Sequence, residues 1–397
     1  MKIRLLAPFP PPYGGVALHS VRLLEGLRDH GVQASGISLG GLPDAIDDIV
    51  PFSPMVFLNR SLVHYHTDEG NHRWMRLLSR MWRMTRTPYV VTVHSFRHRP
   101  EFDDASVRRS LAAAFKNAKA VIAISDEVVN DLERRIGVRH KLTRTIPSNI
   151  PISQWETEFP LTPQIPQDWK DASVRLLANA GRIVSYQGKD LYGLDVLVDA
   201  MNRLDGDVRL CIAVGEIVDA AGWANLHSRI EGDPRISVVR NLQGPLVPAV
   251  RHAHIVIRPT RTEGGPSLTL SEALELGRWA VGSDSVTRPQ GTVLFKNEDP
   301  SDLAHALERC IRDVRSGHMP PPMPPHVDAV QRIVNLYQRV TSDSLGRRRV
   351  AAVGSQHAAT PHTPHTPHTP LTPPTPHTSH PTPETYLVIA THTPAEV

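Results

Sequence analysis

The chain has 397 residues, 40% of them apolar and 21% charged, with a formal net charge of +4. That length allows two ordinary domains, each with its own core, and the composition is that of a soluble globular protein rather than a disordered or fibrous one. Two cysteines, Cys211 and Cys310, exclude a disulfide framework or a cysteine-based zinc site and fit a reducing cytoplasm.

Lys2 to Ala7 reads as a first strand, mostly apolar as a parallel strand should be. The opening Met-Lys-Ile-Arg-Leu-Leu is too short and too soon polar for a signal peptide, and no run is long enough to span a membrane. Pro8 to Gly15 is a proline-rich loop ending in Gly14-Gly15. Val16 to His30 has helical spacing (Val16, Val21, Leu23, Leu24, Leu27) and stops at Gly31. Val32 to Leu39 is the next strand. This βαβ opening lacks the G-x-G-x-x-G of a dinucleotide site, so the two glycines alone are a weak signal.

Leu62 to His66 and Tyr89 to His94 read as strands ending on histidine. Side chains at the carboxyl ends of parallel strands project into a ligand crevice, although a strand-end histidine also commonly bonds a backbone carbonyl. His64 and His66 share one face, but no carboxylate or cysteine partner is evident nearby, so no metal is expected there. Between these strands, Asn71 to Arg86 forms a helix with Trp74, Leu77, Leu78, Met81 and Trp82 on one face and Arg73, Arg76, Arg80 and Arg83 on the other. Two readings are open: a helix packed on a sheet with a solvated basic side, or an interfacial helix for anionic lipid. Ala120 to Ser125 and Thr143 to Pro147 are further strands around a helix from Glu127 to Arg135. Pro151 to Trp169, interrupted by Pro160, Pro163 and Pro166, reads as a linker.

The second half repeats the pattern. Arg175 to Ala180, Val208 to Val214, Ile236 to Val239 and His254 to Ile257 are strands alternating with helical stretches, including one from Asp190 to about Arg203. After His254–Ile257 comes a loop carrying Glu263, Gly264 and Gly265, then a helix from about Ser267 to Leu276 stopped by Gly277. The free first-turn amides and the helix dipole suit a phosphate, the glycines allow close approach, and Pro266 suits a first turn. Glu263 and Glu272 would repel an anion alone but can accept hydrogen bonds from hydroxyls. A ligand with both phosphates and hydroxyls is a nucleotide-sugar. Thr269-x-x-Glu272 also has the form of a capping box, the structural alternative for Glu272. Asp302 to Val314 and Val327 to Val340 are the last helices. From Gly354 onward there are two acids and no Lys or Arg, so the basic excess sits in the body; it suits phosphates or an anionic membrane and demands neither. The Thr-Pro-His repeats of this tail lack apolar groups for a core and read as disordered or polyproline-like.

The segment Glu263-Gly-Gly-Pro-Ser-Leu-Thr-Leu-Ser-Glu-Ala-Leu resembles the donor-binding signature of retaining GT-B glycosyltransferases (group 1, family 4-like), in which seven residues separate two glutamates; here eight do. The resemblance implies an α/β fold of two Rossmann-like domains with parallel sheets facing across a cleft. Its parts would be an acceptor domain at 1–155, a linker at 156–172, a nucleotide-sugar domain at 173–326, a closing helix at 327–345 and the tail at 354–397. It gives Glu272 the ribose and Glu263 the donor sugar, with Gly264, Gly265, Ser267 and Leu268 lining the donor. The family's Gly-Arg, four residues, Lys-Gly places Arg182 on the diphosphate. Gln187 stands at the lysine position, and Lys189, two residues on, has the reach to substitute. His94 resembles the histidine set against the donor sugar, and Gly14-Gly15 the glycine loop facing the cleft.

His94, Glu263 and Arg182 are thus the catalytic candidates. The implied reaction moves a sugar with retention from an NDP-sugar to a glycan or lipid-linked acceptor, in envelope or exopolysaccharide synthesis. It needs no metal, no cofactor beyond the donor substrate and no nucleic acid. The implied place is the cytoplasm, with the inner face of the plasma membrane added if Asn71–Arg86 binds lipid. Two rivals stand beside it: a nucleotide-sugar epimerase on the same fold, and a non-catalytic scaffold.

Overall fold

The apolar runs become parallel strands in two separate sheets. The first contains β1 (Lys2–Ala7), β2 (Gln33–Ser38), β3 (Ile49–Pro51), β4 (Leu62–Thr67), β5 (Tyr89–Val93), β6 (Ala120–Ala123) and β7 (Thr143–Thr145), in the order β3-β2-β1-β4-β5-β6-β7. A two-stranded hairpin of β9 (Ser185–Tyr186) and β10 (Lys189–Asp190) follows β8 (Val174–Ile183). With β8, the strands β11 (Val208–Ile217), β12 (Ile236–Arg240), β13 (Ile255–Arg258), β14 (Trp279–Ser283) and β15 (Val293–Phe295) make the second sheet, ordered β12-β11-β8-β13-β14-β15. Both sheets are doubly wound, reversing direction between β1 and β4 and between β8 and β13, and such sheets take ligands at the carboxyl ends of the strands beside the reversal. The structure is a computed structural model that describes residues 1–40, 48–54, 57, 61–323 and 328–354, the last twelve by backbone alone. The Thr-Pro-His repeats and the rest of the tail from 355 lie outside the described residues.

Each sheet is covered on both faces, which is why strands such as β5, β6 and β13 are apolar on both sides. On one face of the first sheet, Ile3, Leu5 and Val90 meet Val21, Leu24 and Leu27 of the Gly15–Asp29 helix. The Ala329–Gly354 helix returns to this same face, adding Val330, Ile333, Tyr337 and Val340. The opposite face carries Met75, Leu78 and Trp82 of the His72–Thr85 helix, with Leu111, Phe115 and Leu132 from the two that follow. In the second sheet the Leu194–Met201 and Pro300–Arg315 helices cover one side, and the Val247–His252 and Leu268–Glu275 helices the other.

Four local expectations change. β8 does not end at Ala180 but runs on through Gly181, Arg182 and Ile183, so Arg182 is a strand residue in register with Glu216 of β11. Gln187 and Gly188 both have positive φ (52° and 77°) and form the two-residue tip of the β9–β10 hairpin. The next helix consequently begins at Leu194, not Asp190. The proline-broken segment is not a bare linker: Gln154–Glu158 and Gln167–Asp171 are short helices, and Trp169 is fully buried with its Nε1 donating to the Leu176 carbonyl at 2.7 Å.

Candidate active site

The carboxyl ends of the two sheets meet at the loop after β13. A Cβ at Gly264 would collide with the His94 carbonyl, so only glycine permits this approach. Ser125, which caps the Asp126–Ile136 helix, also donates its hydroxyl to the Gly264 carbonyl at 2.8 Å. The sequence-predicted loop and the sequence-predicted histidine are therefore in contact, although they are far apart in the chain. Gly14 and Gly15 are exposed; Gly14 has φ −89° and caps the Gly15–Asp29 helix, and open space lies where a Cβ on either would stand.

Glu263 does not face solvent alone. Its Oε1 accepts from Arg258 Nε at 2.8 Å and Nη2 at 2.5 Å, and its Oε2 pairs with Arg288 Nη1. Burial works to raise this carboxyl, but the two guanidinium groups outweigh it and hold it below its ordinary value. Arg258 also lies over the Tyr192 ring, 4.7 Å from its centroid. Behind it, Arg261 pairs with Asp195 at 2.9 Å and Glu298 at 2.9 Å.

Ser267 is the N-cap of the Leu268–Glu275 helix, one residue past Pro266, and its side chain makes no capping bond. Glu272 lies in the interior of this helix, so the Thr269 capping box does not form. The Glu272 Oε1 instead accepts from Arg22 Nη2 at 2.5 Å, and Arg22 holds Glu156 with two further bonds of 2.7 Å. All three residues are at most 3% exposed. Burial, with Glu156 adding to it against the opposing pull of Arg22, pushes the Glu272 carboxyl up to about 7. A capping box does exist nearby, between Ser153 and Glu156.

The diphosphate candidates are the open part of the site. Arg182 pairs with Glu216 at 3.0 Å and Lys189 with Glu298 at 2.6 Å, and the four side chains are 70%, 61%, 54% and 38% exposed. Such pairs contribute about 0–1 kcal/mol, so both cations can exchange their partner for another anion at little cost.

On the first sheet, His66 and His94 are both buried, with His66 Nδ1 3.0 Å from His94 Nε2. Burial moves both imidazoles well below their ordinary value, so they are neutral at pH 7. His64 is fully bonded, to Thr92 at 2.7 Å and to the Tyr337 hydroxyl at 2.5 Å.

Sequence reasoning missed Arg22, Glu156, Arg258 and Arg288. Only Arg22 carried a usable signal, a cation inside the apolar run Val21-Arg22-Leu23-Leu24. A cavity of about 800 Å³ lies away from the glycine loop, lined by Arg22, Glu25, Asp29, Trp155, Glu158 and Val330. Its wall carries Glu25, Asp29, Glu158 and Asp328 beside Arg22 and His30, and no residue of the β8–β13 reversal lines it.

Residues 13–154 match the family model described as Glycosyltransferase Family 4, and residues 163–313 match that of Glycosyl transferases group 1. No curated protein matches the chain in sequence. Anabaena Alr3699/HepE in complex with UDP-glucose superposes with a TM-score of 0.63 at 16% identity, over 87% of this chain and 100% of that one. The catalytic domain of Starch Synthase IV from Arabidopsis thaliana, bound to ADP and acarbose, gives 0.59 at 13%, over 86% and 99%. A glycosyltransferase from Rickettsia africae gives 0.57 at 15%, over 89% and 98%. At these identities the superpositions speak for the fold, and the two family models, which between them take in the second sheet and all of the first but β1, speak for the family. The chain belongs to the group 1 glycosyltransferases and is a transferase of GT-B fold.

Proposed function

We propose that the chain transfers a sugar, with retention at the anomeric carbon, from a nucleoside-diphosphate sugar to a glycan or lipid-linked acceptor in envelope or exopolysaccharide synthesis. The observation that carries this reading is the meeting of the Gly264 loop with His94 where both sheets present their carboxyl ends. HepE, described with UDP-glucose bound, has the same fold and supports a nucleotide-sugar donor here. In this reading the diphosphate draws Arg182 and Lys189 from their exposed partners, and the Gly264–Leu268 segment supplies backbone donors. Glu272 takes a ribose hydroxyl, and Glu263, fixed by Arg258 and Arg288, takes a hydroxyl of the sugar. Charge on the departing diphosphate is then met by fixed cations and amides, the electrostatic form of catalysis, without a metal at that point. His94 faces the sugar from the acceptor side.

The test is transfer from a panel of NDP-sugars to lipid-linked and glycan acceptors, with the product's anomeric configuration read by NMR. Nucleoside diphosphate released only in the presence of acceptor, with the donor's configuration kept, is the expected result. Binding without turnover under every acceptor would instead mark a scaffold, and sugar isomerisation without acceptor an epimerase.

A membrane-facing surface belongs to the same proposal. No helix among the described residues is long and apolar enough to cross a membrane. The His72–Thr85 helix, however, does not divide as its sequence wheel predicts. Met75, Leu78 and Trp82 are buried, while Trp74, Leu77 and Met84 are 42%, 51% and 77% exposed. Arg73, Arg80 and Arg83 are exposed around them, and Arg76 is tied to Ser110 at 3.2 Å. Exposed tryptophan and leucine ringed by arginine suit an anionic interface, each arginine adding about 1 kcal/mol of attraction near the surface. Sedimentation with anionic liposomes should carry the protein down, fall with salt, and weaken in an Arg80→Glu/Arg83→Glu variant. Equal binding to neutral vesicles, or none to either, contradicts it.

A further inference from the structure

We propose that His19, His66 and His94, brought together from a helix and the ends of two strands, form a binding site for one divalent transition-metal ion of the zinc class. His19 lies in the Gly15–Asp29 helix, His66 near the end of β4 and His94 directly after β5. One ligand atom from each can be chosen so that all three lie within 4.8 Å of one another, and all three residues are buried. A strand-by-strand reading cannot find this group, because its third member comes from a different element.

Ring geometry supports the assignment. Tetrahedral zinc with Zn–N distances of about 2.0–2.1 Å sets the centroids of its imidazole ligands about 5 Å apart. The three centroids here are 5.3 Å (His19–His66), 4.9 Å (His19–His94) and 5.1 Å (His66–His94) apart. The ligand nitrogens must close from within 4.8 Å to about 3.3 Å, which is a matter of ring rotation rather than backbone movement.

Protonation supports it independently. His19 Nδ1 lies 2.9 Å from the Ser148 carbonyl, which can only accept, so the proton is on Nδ1 and Nε2 carries the lone pair. A carbonyl behind a histidine is the usual orienting partner of a metal ligand. His19 Nε2 and His66 Nε2 are both buried with no hydrogen-bond partner among the described residues. His66 Nδ1 and His94 Nε2, 3.0 Å apart, share a single proton between them, and a cation beside His19 Nε2 takes the place of that one hydrogen bond while using the His19 lone pair. Burial lowers all three imidazoles from their ordinary value, His19 to about 4, so they are neutral at pH 7. Arg22, which works against positive charge on His19, is held by Glu156 and Glu272. Three neutral nitrogens favour zinc, copper, nickel or cobalt over magnesium or calcium, which prefer oxygen. His64, with both nitrogens already bonded, does not join, and the fourth position is left to a non-protein ligand.

His94 is shared with the proposed donor site, so the test reads metal binding and stability and no turnover, and its failure leaves the transfer reading standing. The full chain, stripped with a chelator, is titrated with Zn²⁺ and Co²⁺ beside His66→Ala and His19→Gln. Histidines of the Thr-Pro-His repeats also bind metal and remain in every variant, so differences are what count. Wild type should bind one ion more than either variant, show the visible absorption of four-coordinate Co²⁺, and gain melting temperature with Zn²⁺. At least one variant should fold and lose all three responses. Equal stoichiometry and equal melting shifts in wild type and variants would place the metal on the repeats and overturn the site. No zinc-induced shift in wild type would overturn it as well.

Discussion

Replacing Arg22 by alanine is expected to destabilise the chain by about 3–5 kcal/mol, because it leaves the Glu156 and Glu272 carboxylates buried without their cation. Urea unfolding at pH 7.5 measures it. The triple variant Arg22→Met/Glu156→Gln/Glu272→Gln should recover most of that loss, since it removes charge and counter-charge together. A loss below about 1 kcal/mol in the single variant would mean that the triad is solvated. The same triad sets a pH dependence. Glu272 is raised from 4.5 to about 7, so between those values the folded chain keeps a proton that the unfolded chain has released. Stability from this group therefore declines as pH rises through that window and levels off above it. In Glu272→Gln the decline should disappear.

Glu263→Ala is expected to cost a further large amount, about 3 kcal/mol, because Arg258 and Arg288 lose their shared counter-charge while staying buried. Both keep some bonds, Arg258 to the Asn179 carbonyl and Arg288 to Ser283, which puts the cost at the lower end of the range. Its effect on ligands should be selective if Glu263 faces the sugar: free nucleoside diphosphate should bind as to wild type and the NDP-sugar more weakly. Calorimetry at low temperature, where the variant is still folded, separates the two. Equal weakening of both ligands would place Glu263 on the diphosphate side instead.

The strands were legible because doubly wound sheets bury both faces, so β1, β5, β6 and β13 are nearly unbroken apolar runs. The continuation of β8 was not, since Gly181-Arg182-Ile183 has no apolar period and is held by its neighbour β11. The Gln187-Gly188 tip has an X-Gly turn signal, and it coincides with the family's Lys-Gly position. In the His72–Thr85 helix the period holds and the buried face is shifted: the wheel puts Trp74, Leu77, Leu78, Met81 and Trp82 on one face, and packing buries Leu78 and Trp82 with Met75, half-buries Met81 and leaves Trp74 and Leu77 exposed. The candidate site divides in the same way. The glutamates, the glycine loop and His94 stand in recognisable local strings, whereas Arg22, Glu156, Arg288 and His19 matter through contacts between distant parts of the chain. No local pattern contains such partners.

The central claim is that a nucleotide-sugar sits at the β8–β13 reversal with its diphosphate on Arg182. Thermal unfolding of wild type and Arg182→Ala across a panel of NDP-sugars tests it most directly. One donor at a hundred times its Kd should stabilise wild type by about 2.7 kcal/mol. Arg182→Ala should unfold like wild type without ligand, because only an exposed ion pair is lost, and should bind that donor more weakly by about 1.5–3 kcal/mol. Identical donor binding in the two proteins, or no response of wild type to any NDP-sugar, would contradict the account.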